Sequence, residues 1–401
     1  MKERNEGTSR RNFFKIGGLS TIPLLIPPMA YGMSHAPDVQ KDIPHGIKPG
    51  VNFIYDGPMF SPQDYLAKLN EIDKASSIEI DYYSSGGVTK ALEDEFARIT
   101  GKEKAIYLPT GTMANQLAIK LLNGSNTKVI VPDNSHVFRD EADAAQSVHN
   151  LRLIPLGKDK PYFELEELEN AISYLNENEV FKSGLGTVMI ENPIRRADGT
   201  VIPLETIIEI TDYCRKQGYK LHLDGARIHI ASAYSGVSVS EYASYFDTIY
   251  VSLYKYLNAG SGAMLCGDAA FIDQIPHQIK ILGGTMLRNW SNTAMALHYL
   301  NGIDDRWNLL LQTASYFISE LNKLNGVEIN PIKNGSNIYD LKLSDEINLN
   351  QLTDYLYSTH NISLGRSNEE GLIKFKINLT LLERDIKEIL NACKTGIDMA
   401  S

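Results

Sequence analysis

The chain has 401 residues, a length that suits one large α/β unit with an appendage, or two to three ordinary domains. Hydrophobic residues make up 43% and charged residues 22%, globular values that exclude a disordered, collagenous or coiled-coil chain. With 39 Lys+Arg against 49 Asp+Glu the net charge is −10, which argues against a nucleic-acid partner, and the scattered Cys214, Cys266 and Cys393 are too few for a disulfide framework or a zinc site.

The first thirty or so residues begin polar and end in an apolar stretch without a charge. Ser9-Arg10-Arg11-Asn12-Phe13-Phe14-Lys15, followed by the weakly apolar Ile16–Ala30, resembles a twin-arginine export signal. A spanning helix is disfavoured, because Gly17, Gly18, Pro23, Pro27 and Pro28 interrupt a stretch already short of the ~20 residues that hydrocarbon requires. The signal segment is set at residues 1–32. Met29-Ala30-Tyr31-Gly32 lacks a clean small-x-small cleavage pattern, so retention at the membrane by an uncleaved signal stays open. The twin-arginine machinery carries folded proteins, and the resemblance therefore implies a periplasmic protein that acquires any cofactor before export.

Residues 33–75 are read as an N-terminal segment that joins a smaller domain, and residues 76–300 as the large domain. From about Asn52 to Gly302, short β-branched runs alternate with amphipathic stretches, as in a doubly wound, mainly parallel α/β sheet. The predicted strands are Ala105–Leu108, Lys128–Val131, Arg152–Pro155, Thr187–Glu191, Lys220–Leu223, Thr248–Ser252 and Gly262–Leu265. Apolar residues three and four apart predict helices over Val88–Ile99, Met113–Asn123, Phe163–Tyr174, Leu204–Gln217 and Phe271–Leu282. Residues 301–401 read as a smaller α+β domain. A long helical stretch over Asn292–Leu324 leads into strands at Val327–Asn330, Asn337–Leu341 and Ile373–Ile377, with helices near Leu349–Ser358 and Leu382–Ala392.

Two strand ends carry chemistry. Lys220-Leu-His-Leu-Asp224-Gly-Ala-Arg227 places an acid at the carboxyl end of a buried strand, where open α/β sheets bind ligands. Asp224 needs a cationic partner: Arg227, in a purely structural pair, or a protonated pyridine nitrogen. Lys255 follows the next strand, between Tyr254 and Tyr256, with its stem committed to the core. An acid to hold a pyridinium and a later lysine to form an imine are what pyridoxal 5'-phosphate chemistry asks of a protein. The turn Thr110-Gly111-Thr112 opens a helix whose free N–H groups suit an anion, and His136, after the strand Lys128–Val131, has a flat ring able to stack on a cofactor.

The stretch from Asp81 to Arg288 resembles the fold-type I pyridoxal phosphate enzymes of the β-eliminating lyase and threonine aldolase family. The carrying segments, in family order, are Leu92-Glu93, Pro109-Thr-Gly-Thr-Met-Ala-Asn115, Ser135-His136, Glu191-Asn192, Asp198-Gly-Thr-Val-Ile-Pro203, His222-Leu-Asp224-Gly-Ala-Arg227, the Lys255 strand end and Gly283-Gly284-Thr-Met-Leu-Arg288. The resemblance implies a fold-type I transferase-like fold, with Lys255 carrying the cofactor as an imine, Asp224 pairing with the ring nitrogen and His136 stacking on the ring. It further implies that Gly111 and Thr112 hold the phosphate with help from Ser252, and that Arg227 reaches the cofactor's phenolic oxygen or the substrate carboxylate. Arg288 would serve a phosphate across the interface of a homodimer or homotetramer, and Glu141 would stand near the site.

Several positions depart from the family pattern: Tyr254 and Tyr256 flank the lysine, Ser84-Ser85-Gly86-Gly87 replaces an acidic loop, and Lys374 and Asn378 stand where an arginine and a histidine grip substrate. The implied reaction is lyase chemistry on an amino acid, with aldol cleavage of a β-hydroxy amino acid slightly ahead of β-elimination. A transaminase or desulfurase on the same fold is the alternative within enzymes. An exported binding protein without turnover is the other, motivated by two tyrosines crowding the lysine. His136 or Glu141 is the base in either lyase reaction.

Overall fold

The computed structural model describes residues 50–401, so the export-signal expectation for residues 1–32 lies outside the described residues. Seven strands form the main sheet: β2 (Lys104–Leu108), β3 (Lys128–Pro132), β4 (Arg152–Leu156), β5 (Leu185–Glu191), β6 (Lys220–Asp224), β7 (Thr248–Ser252) and β8 (Ala263–Gly267). Their order is β2-β8-β7-β6-β5-β3-β4. The strands from β4 to β7 run parallel, while β8 pairs antiparallel with both β2 and β7, so β2 points the same way as β7. Every residue of β3, β7 and β8 is buried, the burial of a sheet covered on both faces, and this is why the strands read as unbroken apolar runs.

The carboxyl ends of β2, β3, β5, β6 and β7 therefore gather at one edge of the sheet. Leu108, Pro132, Glu191, Asp224 and Ser252 end those strands, and the loops that leave them carry Gly111, His136 and Lys255.

A two-residue strand β1 (Val51–Asn52) pairs parallel with β11 (Ile362–Ser363), and β9 (Val327–Pro331), β10 (Ile338–Leu343) and β12 (Leu372–Lys376) form an antiparallel sheet in the order β12-β10-β9. Lys376 N donates to Phe53 O at 2.9 Å, which lays the segment after β1 beside β12. Stacked rings of Phe53, Phe317 and Phe375 fix that junction, with Phe53 and Phe375 centroids 4.2 Å apart.

Three helical expectations change. The stretch from Asn292 breaks into Trp290–Leu300 and Ile303–Leu321 at Gly302, whose φ of 64° is left-handed. Phe271–Leu282 divides into Ala269–Ile272 and Ile275–Ile281, with Pro276 in the first turn of the second helix, where its missing N–H does no harm. The last helix runs over Ile386–Ala400, starting after the cap Asp385, whose side chain accepts from Lys387 N. An unforeseen helix, Pro62–Ala75, begins at Ser61, which caps Asp64 N.

Candidate active site

Asp224 is 1% exposed and makes no salt bridge among the described residues. Its Oδ1 accepts from Ala226 N at 3.1 Å and its Oδ2 from Asn115 Nδ2 at 2.9 Å. The same amide nitrogen donates to Glu141 Oε1 at 2.9 Å, and Asn115 Oδ1 lies 3.0 Å from His222 Nε2. That oxygen only accepts, so His222 carries its proton on Nε2, leaving Nδ1 to accept from Thr248 Oγ1 at 2.8 Å. Burial holds the His222 pKa down at about 4, and the ring is neutral at physiological pH. One buried amide from the helix Gly111–Asn123 thus sets the orientation of two carboxylates.

Glu141 Oε1 also lies 2.9 Å from His136 Nδ1. A carboxylate accepts, so Nδ1 bears a proton, and in the neutral ring Nε2 keeps the lone pair. Burial works to lower the His136 pKa, but the Glu141 hydrogen bond and the charges of Asp224 and Glu141 outweigh it and the pKa is raised. His136 opens the short helix His136–Arg139, and its backbone N donates to Glu191 Oε2 at 2.6 Å. Glu191 Oε1 accepts from Arg195 N at 2.8 Å; burial first, and Asp224 next, push the Glu191 pKa up.

Lys255 sits just beyond β7 and is half-buried. Loss of hydration, then repulsion from Arg227, lowers its pKa to about 7, against the opposing pull of Asp224, Asp56 and Glu191. An amine in that range is available as a nucleophile at neutral pH. The Tyr254 ring lies under the ammonium, with Nζ 4.9 Å from its centroid, on the exposed side. Tyr256 turns away into the core, edge-on to His229 and Trp307 at centroid distances of 5.7 and 6.4 Å. It therefore does not crowd the lysine, and of the two tyrosines only Tyr254 stands against the amine.

Arg227 does not pair with Asp224. Its Nε and Nη2 donate to Asp56 Oδ2 at 3.0 and 2.8 Å, and Lys376 Nζ reaches Asp56 Oδ1 at 3.1 Å. Arg227, Asp56 and Lys376 carry one net positive charge next to Lys255. Lys374 instead bridges Asp198 and Asp340, each at 2.8 Å. Asn378 is structural: its Nδ2 donates to Asn52 O at 2.7 Å and to Tyr55 O at 2.9 Å. Lys376, rather than Lys374, is thus the cation of β12 that shares Arg227's partner.

At the other end of the site, Thr110 caps the helix Gly111–Asn123 by accepting from Met113 N, leaving the N–H groups of Gly111 and Thr112 directed out of the helix end. Gly111 must lack a Cβ, since one there would lie 2.1 Å from Tyr250 Oη. Ser252 Oγ is buried beside this turn without a hydrogen-bond partner. Arg288 is exposed and lies over the Tyr82 ring, 4.3 Å from the centroid, instead of joining the Lys255 cluster.

The sequence pattern of the β-eliminating lyase family matches residues 74–344. The chain belongs to that family. Low-specificity L-threonine aldolase of Candida albicans is 29% identical over 287 residues, 70% of this chain and 75% of that protein. Low specificity L-threonine aldolase of Saccharomyces cerevisiae is 30% identical over 59% of this chain and 60% of its own length, so the chain spans three fifths to three quarters of these relatives. Alanine racemase TOXG of Cochliobolus carbonum is 31% identical over 54% of this chain and 55% of its own. Among solved structures, Leishmania major threonine aldolase superposes with a TM-score of 0.64 at 16% identity, covering 88% of this chain and all of that one, which shows the shared fold-type I architecture.

The β-eliminating lyase cofactor, pyridoxal 5'-phosphate, fits these residues. Asp224 is a buried carboxylate with room in its hydrogen bonding for a pyridinium, Lys255 is the amine, and the orphaned Ser252 Oγ and the glycine cradle at the helix end match a phosphate. Asn115, Glu191, Asp56 and Lys376 complete the site. Asn115 and Glu191 stand inside recognised segments, but their contacts depend on tertiary packing that spacing does not reveal.

Proposed function

We propose that this β-eliminating lyase-family enzyme cleaves the Cα–Cβ bond of a β-hydroxy amino acid such as threonine, giving glycine and an aldehyde. The His136–Glu141 pair beside Asp224 carries this reading, because the unprotonated ring, held by Glu141 at Nδ1, has Nε2 free to take the substrate hydroxyl proton as Cα–Cβ breaks. Bound pyridoxal phosphate supplies the electron sink for the bond pair. Glu141 then steadies the imidazolium that His136 becomes, Asp224 holds its negative charge where a ring nitrogen needs it, and Arg227 and Lys376 offer net positive charge to the substrate carboxylate. The names of the threonine aldolase relatives support the same reading; a racemase at similar identity means that the products must decide. A panel of amino acids assayed for products tests it: glycine with an aldehyde is expected. Ammonia with a keto acid would replace it by β-elimination, conversion to the pyridoxamine form by transamination, and no turnover by a binding role.

We further infer a periplasmic enzyme exported by the twin-arginine machinery and working as a homodimer or homotetramer. Arg10 and Arg11 in the Ser9–Lys15 segment support the first. The exposed Tyr82, Tyr83 and Leu287 around Arg288 support the second. Replacing both arginines by lysine should leave folded precursor in the cytoplasm, and unchanged export would reject the route.

A further inference from the structure

Tyr250 lies in register with Asp224 across β6 and β7 and two residues before Ser252, so these side chains project from the same face of the sheet towards the helix Gly111–Asn123. Its ring packs with Ala114 and Leu117 of that helix. Its hydroxyl reaches the first helical residue, in the space that only a glycine at position 111 leaves open. There it faces Ser252 Oγ. Among the described residues neither hydroxyl donates to a carboxylate or a carbonyl. Two hydroxyls converge beside outward-pointing N–H groups, and even if one of them donates to the other, the second still lacks an acceptor.

We propose that Tyr250 is a ligand of the cofactor phosphate, donating its phenolic proton from the floor of the anion site formed by Gly111 N, Thr112 N and Ser252 Oγ. This rests on the pyridoxal phosphate reading of the site and adds to it a residue to which the sequence reading gave no role. Packing alone does not account for Tyr250, because phenylalanine would fill the same space without burying a hydroxyl. The required acceptor is a compact anion with several oxygens. Asp224 takes no hydrogen bond from Tyr250; its Oδ1 is met by Ala226 N and its Oδ2 by Asn115 Nδ2. Burial first, and the nearby Asp224 charge next, raise the Tyr250 pKa well above the ordinary tyrosine value, so the phenol stays protonated and can only help an anion as a donor.

The test compares Tyr250→Phe with the wild type, both stripped of cofactor and titrated separately with pyridoxal phosphate and with pyridoxal, which lacks the phosphate. Circular dichroism checks the fold, and Ser252→Ala serves as a second variant at the same site. Tyr250→Phe should bind pyridoxal phosphate tenfold or more weakly, as expected for a lost hydrogen bond to a charged group, with pyridoxal affinity changed less than twofold. Ser252→Ala should show the same selectivity. Equal affinity of Tyr250→Phe and wild type for pyridoxal phosphate, or an equal loss for both ligands, would overturn the assignment. A wild type that binds neither ligand would overturn the cofactor reading itself, a different result from the other two.

Discussion

Asn115 Nδ2 stands 2.9 Å from Asp224 Oδ2, and the same nitrogen serves Glu141 at 2.9 Å. Asp224 and Glu141, the partner of His136, are thus tied to one side chain on the helix Gly111–Asn123. Removing that amide frees two buried carboxylates to reorient and leaves both short of a donor.

Asn115→Ala should therefore lower kcat by ten- to a hundredfold while costing about 1–3 kcal/mol of stability. Rate and thermal melting of the same preparation check this. Asn115→Asp should be worse, since it sets a third carboxylate against Asp224 and Glu141. A wild-type rate in Asn115→Ala would mean that Asp224 and Glu141 are held by other contacts.

The lowered Lys255 pKa fixes a pH dependence for cofactor loading. Only the neutral amine attacks a carbonyl, so the loading rate of cofactor-free enzyme should rise about tenfold per pH unit below 7 and level off above it, instead of climbing towards the ordinary lysine value of about 10.4. Arg227→Met removes a repelling charge and should move the inflection to higher pH. Stopped-flow absorbance after mixing with cofactor reads both profiles.

Asp56 binds two cations, and its pKa is lowered because Arg227 and Lys376 outweigh the effect of burial. A depressed folded pKa means that its stabilisation is complete above the unfolded value of about 3.9 and is lost as pH falls through the folded one. Asp56→Asn leaves two partly buried cations side by side without their shared acceptor and should cost about 1–3 kcal/mol near neutral pH. The variant should also lose less stability than the wild type when taken from pH 5 to strongly acidic conditions. Urea titrations at several pH values check the sign.

Arg288 lies exposed over Tyr82, and in the proposed homodimer it would act in the neighbouring subunit. Mixing inactive Lys255→Ala protein with inactive Arg288→Ala protein under subunit-exchanging conditions should recover about a quarter of wild-type activity if half the molecules are hybrids with one intact site each. No recovery despite demonstrated exchange would confine Arg288 to its own chain.

The sheet was legible because parallel strands buried on both faces are continuous apolar runs: Lys128–Pro132 and Thr248–Ser252 have no exposed residue. Asp224 and Lys255 were legible for the same reason, being polar residues where such runs stop. Asp56 and Lys376 were not, since their contact joins positions 320 residues apart through the pairing of Phe53 with Lys376. Alternation on β12 places Lys374 and Lys376 on one face, and spacing alone cannot choose between them. Arg227 stood three residues from Asp224, yet the turn after Gly225, in which Arg227 is the non-helical cap of the helix Ile228–Ser235, brings its guanidinium to Asp56.

In the proposed site Lys255 bonds the cofactor opposite Asp224. Borohydride reduction of the purified yellow protein, followed by peptide mapping, tests it most directly. A single reduced pyridoxyl group on Lys255, absent from Lys255→Ala, is expected; attachment to Lys104 or Lys374, or to no lysine, would rule the assignment out.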